Sequence, residues 1–457
     1  MNDFNQAIFS GIIKGSASGS SVLTELMIYS RESLNLGSQK RQLSKFQSSS
    51  LTVAGFRVID GNGEGTAYTE NLSKEGLARA FEDAKSNARD LKTSEHRTHG
   101  MLEGETIRHS GLVDSFADLS IDEDVSLEAK KSKALELEGN CYELDSRVSS
   151  VPYASLDEEF SQLRLLNSHG VDKSFRAKRW IGYVYPLVVS GEQSKMSGET
   201  RVFRKFADLD VRLLSQLAVE KAVSRLGAVR PKTGRYRIFL EHQIAGTFVD
   251  MFSEYLSAKA VFNKTSLFSG KVGKKVASDL FELVDDPFNR LGSGLRPFDD
   301  EGVDSQVTSL ISDRGEFKGF LTNLEYSKKL GLPHTGHAAR SPTTSMGISS
   351  SNLVVTRGRS TRSEFINSHS QVLQITDLKG SLHACFNSST GDISIPCEGF
   401  LFDRGECVGA VDQFVLSGNI LELLMQVIGV GDNWGESTGS SVLCPDLLVS
   451  EMGVAGA

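Results

Sequence analysis

The stretch RPFDDEGV, residues 296–303, sets three carboxylates, Asp299, Asp300 and Glu301, side by side between Pro297 and Gly302. Such a run can serve a hard-cation site, an acid pair sharing a proton, or a polar turn. Adjacent carboxylates repel, and they keep their charge only in water, against a cation, or under backbone N–H donors. Local chemistry favours the turn, because Pro and Gly flank it and Asp accepts hydrogen bonds from its own neighbouring backbone. Two histidines, His334 and His337 in LPHTGHAAR, also have a suggestive spacing. Pro333 and Gly336 make that segment a loop and no third ligand stands nearby in sequence, so a structural pair is the better reading. The cysteines, Cys141, Cys385, Cys397, Cys407 and Cys444, are odd in number, scattered and without a C-x-x-C pair. Neither a disulfide framework nor a zinc ribbon is expected; buried thiols in a reducing compartment are. DGNGEG (60–65) has the glycines of a phosphate loop. It lacks the Lys-Ser/Thr ending, and TAYTENL separates it from the next helical pattern, so it reads as a hairpin turn.

These residues need a scaffold. A chain of 457 residues implies about two or three domains. A net charge of −8 and a pI near 5.7 give no electrostatic footprint for nucleic acid, which needs clustered Lys and Arg. No apolar run is long enough for a membrane span. The opening MNDFNQAIFSGIIKG lacks the basic start and apolar core of a signal peptide, so a cytoplasmic protein is expected. Near-alternating apolar residues predict strands over 21–30 and 51–60, followed by a helix with the stripe Leu77, Ala80, Phe81, Ala84, Ala88 and Leu91, capped by Asn71 or Ser73. A polar, acidic stretch over 93–124 precedes a second helix with Leu127, Ala134, Leu135 and Cys141. Strands follow over 160–170 and 179–191, then a helix over 210–226 that Gly227 would end.

AVRPKTGRYR (228–237) is the best domain boundary. Beyond it come a strand over 235–241 and a helix with a core stripe of Ile244, Phe248, Met251, Phe252 and Tyr255. Short strands broken by Gly, Asn, Asp and Ser then predict an antiparallel barrel or sandwich, with a helix near 418–428 and a mobile loop at SPTTSMGISSS (341–351). The expected class is α+β. Residues 1–227 would form an N-terminal α/β domain, a mixed sheet with helices including a central subregion over about 115–227, and residues 228–457 a β-rich C-terminal domain.

Several ordered blocks carry a resemblance. FNKTSLFSGKVGKKVASDLFELVDDP (262–287), LGSGLRPFDDEGV (291–303), GEFKGFLTNLEYSKKLGL (315–332), STGDISIPCEGFLFDRGE (389–406) and SGNILELLMQVIGVGDN (417–433) resemble the TldD/PmbA family of metalloproteases, as do FRVIDGNGEGTAYTENLSKEGLARAFEDAKSNAR (56–89), LLNSHGV (165–171) and RLGAVRPKTGRYRIFLE (225–241). The resemblance implies a dimer of two related subunits, one TldD-like and one PmbA-like, also called TldE. In the TldD-like subunit a His-Glu-x-x-x-His helix and a late Cys hold zinc, with the Glu as general base for peptide hydrolysis. Counting back from TSLFSG (265–270), the histidines fall at Val249 and Glu254 and the glutamate at Asp250. Cys444, before Pro445, resembles part of the closing strand rather than the Gly-rich turn of the metal-binding Cys.

The resemblance therefore implies a PmbA/TldE-like subunit without a metal site of its own. Zinc would sit in a TldD-like partner, the chain would form a heterodimer or, when alone, a homodimer, and extended peptides would be the substrate. Two alternatives stand beside it: a lone peptidase with a metal on Asp250, Glu254, His242 or His334, and a non-catalytic peptide-binding protein. DDEG recurs in both subunit types, so Asp299, Asp300, Glu301 and Gly302 are expected to fix a loop of the C-terminal sheet. Asp285 and Asp286 in VDDP belong to the same class.

Overall fold

The computed structural model describes residues 22–91, 125–367, 369–380, 382–435 and 439–457. The acidic stretch 93–124 and the opening segment lie outside the described residues. Seven strands form the N-terminal sheet: β1 (Val22–Gln39), β2 (Gln42–Asp60), β3 (Gly63–Thr69), β4 (Val148–Asn167), β5 (Asp172–Ser190), β6 (Gln193–Met196) and β7 (Glu199–Phe203). Their order is β3-β2-β1-β4-β5-β6, with β7 also beside β5. Every described pairing is antiparallel rather than mixed. Hairpins account for β1–β2, β2–β3, β4–β5 and β5–β6, since a hairpin joins antiparallel neighbours, while β1 and β4 are far apart in the chain and pair antiparallel across the middle of the sheet. Between β1 and β2 the turn residues Lys40 and Arg41 take φ of 55° and 59°, the hairpin conformation that matches strand twist even without glycine.

Alternation along the strands puts Leu26, Ile28 and Leu36 of β1 on one apolar face of the sheet, which the helices cover at both ends. Leu26, Ile28, Phe56 and Val58 meet Leu77, Ala80, Ala84 and Ala88 of α1 (Lys74–Asp90), whose first turn is capped by the Ser73 hydroxyl accepting from Gly76 N. At the other end α2 (Leu127–Leu144) and α3 (Val211–Ser224) cover Leu36, Leu156, Trp180 and Val184. The inward face of α2 is Ala134, Leu137, Glu138 and Cys141, while Leu127 is exposed. Glu138 is accommodated there because its carboxylate accepts the Ser38 hydroxyl and the Arg41 N–H.

The C-terminal part contains β8 (Gly234–Leu240), β9 (Leu283–Asp285), β10 (Thr308–Ile311), β11 (Ala338–Ala339), β12 (Gly347–Ile348), β13 (Leu353–Val355), β14 (Gln371–Leu378), β15 (Asp392–Asp403), β16 (Glu406–Asn419), β17 (Val427–Val430), β18 (Val442–Leu443) and β19 (Leu447–Ala455). Strands β16-β15-β14-β8-β19 run in order, and β19 returns to pair with β16, closing a five-stranded barrel. The α+β class and the barrel agree with the sequence reading. Within the barrel one pairing, β8 with β14, is parallel, and outside it β13 and β18 also pair in parallel. The segment 341–351 carries β12 and is anchored at Pro342, whose carbonyl oxygen lies 2.1 Å from where a Cβ on Gly55 would stand. Only glycine permits that approach.

One helix, α4 (His242–Ser253), packs into the barrel-side core through Ile244, Phe248, Val249 and Phe252. Met251, expected in the core stripe, is only partly buried. The buried arc is centred on Phe248 and Phe252, which rotates Met251 to the flank.

Candidate functional site

Two places gather the residues with chemical potential. At the first, the RPFDDEGV turn, Asp299 is fully buried. Its Oδ1 accepts the N–H of Glu301 at 3.0 Å and of Val303 at 2.9 Å, and its Oδ2 accepts the N–H of Ala338 at 2.9 Å. Asp300 accepts the N–H of Arg340 at 2.8 Å. Glu301 Oε2 accepts the N–H of Leu324 at 2.9 Å, at the start of the short helix Leu324–Leu330. Gly302 has φ of +90° and lies against Val171 of the β4–β5 turn, so both its conformation and its size require glycine. Burial first, then the charge of Glu301, raise the Asp299 carboxyl above its ordinary range.

Donor atoms of Asp299, Glu301 and His334 converge within 4.8 Å of one another. The hydrogen bonds argue against a cation there. Gly336 N donates to His334 Nδ1 at 3.3 Å, which leaves the ring proton on Nε2, 3.4 Å from Glu301 Oε2. Asp299 already holds three backbone donors. Burial lowers the His334 pKa, but the Glu301 hydrogen bond and the charges of Asp299 and Glu301 outweigh it and hold the imidazole above its usual value. In this tautomer the Nε2 proton of His334 faces the Glu301 carboxylate.

The same turn docks on the N-terminal sheet. Phe298 fills a cluster with Met27, Leu165 and Val171. Arg340 Nη2 donates to Glu25 Oε1 at 2.8 Å with both side chains buried, and Glu25 stands opposite Arg57 in the β1–β2 register. Arg57 in turn reaches Glu64 at 3.0 Å, and Lys173 pairs with Asp304. His337 Nε2 lies 2.8 Å from Asp285 Oδ2, and Asp285 also accepts the N–H and hydroxyl of Ser351. Ser, Asp and His meet, yet the carboxylate is in the middle, so no imidazole stands ready to take the serine proton. Asp286 accepts the N–H of Phe288, a local turn bond. The two histidines therefore serve separate acids.

The second place is the outer face of α4. Gln243, Thr247, Asp250 and Glu254 follow one another along it at helical spacing. A cavity of about 270 Å³ lies between this face and Trp434, Ser440, Val442 and Cys444, and another of about 360 Å³ lies toward Phe386 and Ser388. Thr247 and Asp250 line both, so a groove runs the length of the helix. Neither Asp250 nor Glu254 has a hydrogen-bond or ion-pair partner among the described residues. Partial desolvation, then the neighbouring Glu254, raise the Asp250 carboxyl.

Of the positions mapped by resemblance, Val249 points into the core at 1% exposure, while Asp250 and Glu254 face the groove. Cys444 is 2% exposed, and burial, then Asp446, push its thiol well above the ordinary range, so it is not a thiolate. The His242 backbone N–H donates to Asp446 Oδ1 at 2.7 Å. Two carboxylates, one imidazole and a protonated thiol do not match the donor set of two imidazoles and a thiolate. His334 is remote from this groove, at the junction.

Several contributors were not singled out from the sequence: Glu25, Arg57, Glu64, Lys173, Arg340 and Trp434. A signal existed for two of them, because Glu25 in LTELMI and Arg57 in AGFRVI are single charges inside apolar strands. A charge in such a position is kept only when paired.

Comparison with known proteins agrees along the whole chain. Models of the PmbA/TldA metallopeptidase family match as domain 1 over residues 24–88, central domain over 121–226 and C-terminal domain over 233–456. Metalloprotease PmbA of Escherichia coli O157:H7 is 23% identical over 446 residues, covering 96% of this chain and 94% of that protein. A metalloprotease TldD homolog of Haemophilus influenzae is 26% identical over 271 residues, 56% of this chain and 55% of its own length. Among solved structures, TldE from Thermococcus kodakarensis superposes with a TM-score of 0.87 at 21% identity, covering 98% of this chain and all of that one. A putative modulator of a DNA gyrase from Thermotoga maritima gives 0.86 at 22% identity, with 99% of each chain covered. A buried acidic turn against an antiparallel sheet, a closed five-stranded barrel with a groove along α4, and family models spanning all three segments lead to one assignment: the chain belongs to the PmbA/TldD metallopeptidase family, as a PmbA/TldE-like member.

Proposed function

We propose that this chain is the PmbA/TldE-like subunit of a two-chain peptidase that hydrolyses unfolded or extended peptides, and that the α4 groove forms part of the peptide chamber. The observation that carries this reading is the outer face of α4. It lines a continuous groove, yet the positions expected to bind metal hold a buried valine and two carboxylates without cationic partners. Zinc and the general base come from a TldD-like partner, while this chain supplies walls and polar groups. Gln243 and Thr247 offer hydrogen bonds to a peptide main chain, and Asp250 with Glu254 offers a negative surface. The division into segments 1–227 and 228–457 and a cytoplasmic location belong to the same proposal. No described helix is long and apolar enough to cross a membrane.

A lone peptidase would have to recruit Asp250, Glu254, His242 or His334. His334 is engaged by Glu301 and Gly336, which weakens that alternative. The test assays an unstructured peptide with each chain alone and with both together, with zinc measured on each. Activity in the mixture only, with zinc on the partner, supports the proposal. Activity of this chain alone, or full activity of the partner alone, overturns it.

A further inference from the structure

Three arginines meet where the edge of the N-terminal sheet faces the C-terminal part. In the β5–β7 register Trp180 stands opposite Phe203, so the next residues along the two strands, Arg179 and Arg204, are cross-strand neighbours. Trp180 packs under the helices, which turns Arg179 to the other face, where Phe298 docks beside Leu163 and Phe175. The C-terminal part reaches the same place. Arg204 Nη2 donates to the Gly292 carbonyl oxygen at 3.1 Å, and Arg290 belongs to that turn and adds its charge to the surroundings of Arg204. Glu159 pairs with Arg179 but is shared with Arg31. Neither Arg204 nor Arg290 has an ion-pair partner among the described residues. Like charges directly opposite destabilise a strand pair. Burial, then the charges of Arg179 and Arg290, lower the Arg204 pKa, yet a guanidinium keeps its proton inside a protein. The three forks call for an anion.

The surroundings name its class. Ser293, one residue beyond Gly292, donates its N–H to the Ser440 carbonyl oxygen at 3.0 Å, and Ser440 lines the α4 groove with Thr247 and Asp250. β7 touches the same wall, because a Cβ on Gly439 would stand 2.9 Å from Val202 Cγ2. Arg290 is three residues from Ser293, so its backbone lies within about 11 Å of that anchor on the groove wall, at no more than about 3.6 Å per residue. We propose, on the reading that the α4 groove holds peptide, that Arg179, Arg204 and Arg290 receive a carboxylate of that peptide at the Ser440 end. Planar forks match the two oxygens of a carboxylate. Asp250 and Glu254 repel acidic groups along α4, whereas the arginines attract one beyond it. Charge then sets the direction of the bound chain, with its carboxylate toward Ser440 and its amine or basic residues toward Glu254.

The test is fluorescence anisotropy of the full chain, alone and mixed with a zinc-stripped TldD-like chain, using one internally labelled, unstructured peptide made as the free acid and as the C-terminal amide. The acid should bind about tenfold more tightly, the size of one charge-assisted hydrogen bond. Arg204→Gln with Arg290→Gln should erase that preference, and Arg290→Gln alone, at an exposed position, should reduce it in a folded chain. Removing a like-charged neighbour should leave the double variant melting no lower than the parent. An amide whose last residue is Glu separates the two sources of the group: binding like the acid assigns a side-chain carboxylate, binding like the plain amide assigns the chain terminus, and both support the site. Equal affinity of the parent chain for acid and amide overturns the arginine site and leaves the peptide groove standing. A preference that survives both substitutions does the same. No binding of either form, in either mixture, overturns the groove reading and this site with it.

Discussion

The RPFDDEGV junction and the outer face of α4 both present acidic side chains, and they treat charge in opposite ways. At the junction Asp299 and Glu301 are buried and Asp300 partly so, and each acid is bonded: Asp299 to three backbone N–H groups, Asp300 to one, and Glu301 through Oε2 to Leu324 and His334, while its Oε1 has no partner among the described residues. On α4, Asp250 and Glu254 face open volume with no partner among the described residues. Carboxylates held by backbone donors are spent on architecture, because any ligand would have to replace bonds already made. Carboxylates left facing a groove are available to one. The acid cluster, read from the sequence as a turn, is built into the junction, and the groove along α4 is where a ligand can enter.

The comparison can be broken most decisively at Asp299. Asp299→Ala leaves three buried N–H groups unpaired, at about 1–3 kcal/mol each, so stability should fall by about 3–5 kcal/mol in denaturant titration. An unchanged midpoint would show that the junction is hydrated rather than closed. Next comes Arg340→Ala, which strands the buried Glu25 carboxylate with Arg57 3.9 Å away as its remaining partner. A loss of about 3 kcal/mol is expected, and combining it with Glu25→Gln should return part of that loss.

A smaller effect should appear with pH. His334 has its folded pKa raised above the unfolded value, so its stabilising contribution is complete below about pH 6.5 and is lost as pH rises through the folded pKa. Denaturation midpoints measured across that window should decline for the parent chain and decline less for His334→Asn. Equal slopes would show that His334 does not titrate with the fold. The smallest effect belongs to the groove: Asp250→Asn with Glu254→Gln should change stability by less than about 0.5 kcal/mol, since neither side chain holds anything in place. In the two-chain assay the same pair should weaken peptide turnover. A large stability loss would make these residues structural and erase the contrast.

Periodicity made the elements legible where one face is apolar and the other wet. The α1 stripe, with Leu77, Ala80, Ala84 and Ala88 buried, reads directly from spacing. The pattern was less informative where a helix is apolar around much of its circumference. In α4, both Phe248–Met251 and Phe248–Phe252 are helical neighbours, and only packing shows that Phe252 faces the core and Met251 the groove. The barrel was legible from its short strands and turns, but the parallel pairing of β8 with β14 was not, because the two are separated by 130 residues of other structure. The turn reading of DDEG came from Pro and Gly; in the structure Gly302 N donates to Asp299 O at 2.9 Å. Its docking against Glu25, Arg57 and Arg340 joins residues more than 270 positions apart, which no local pattern encodes.

The closure of the barrel has a consequence for how the protein is made. Its first strand, β8, needs β19 on one side and β14 on the other, and β19 follows every other strand of the barrel in the chain. During synthesis the N-terminal sheet can assemble as soon as β7 has emerged, whereas β8 waits with an open side until more than 200 further residues have left the ribosome. The Phe-rich interior that α4 will close stays uncovered over the same interval. A nascent chain stalled before Leu447 should thus present a finished sheet tethered to an unfinished barrel, the state in which chaperones and proteases would meet it.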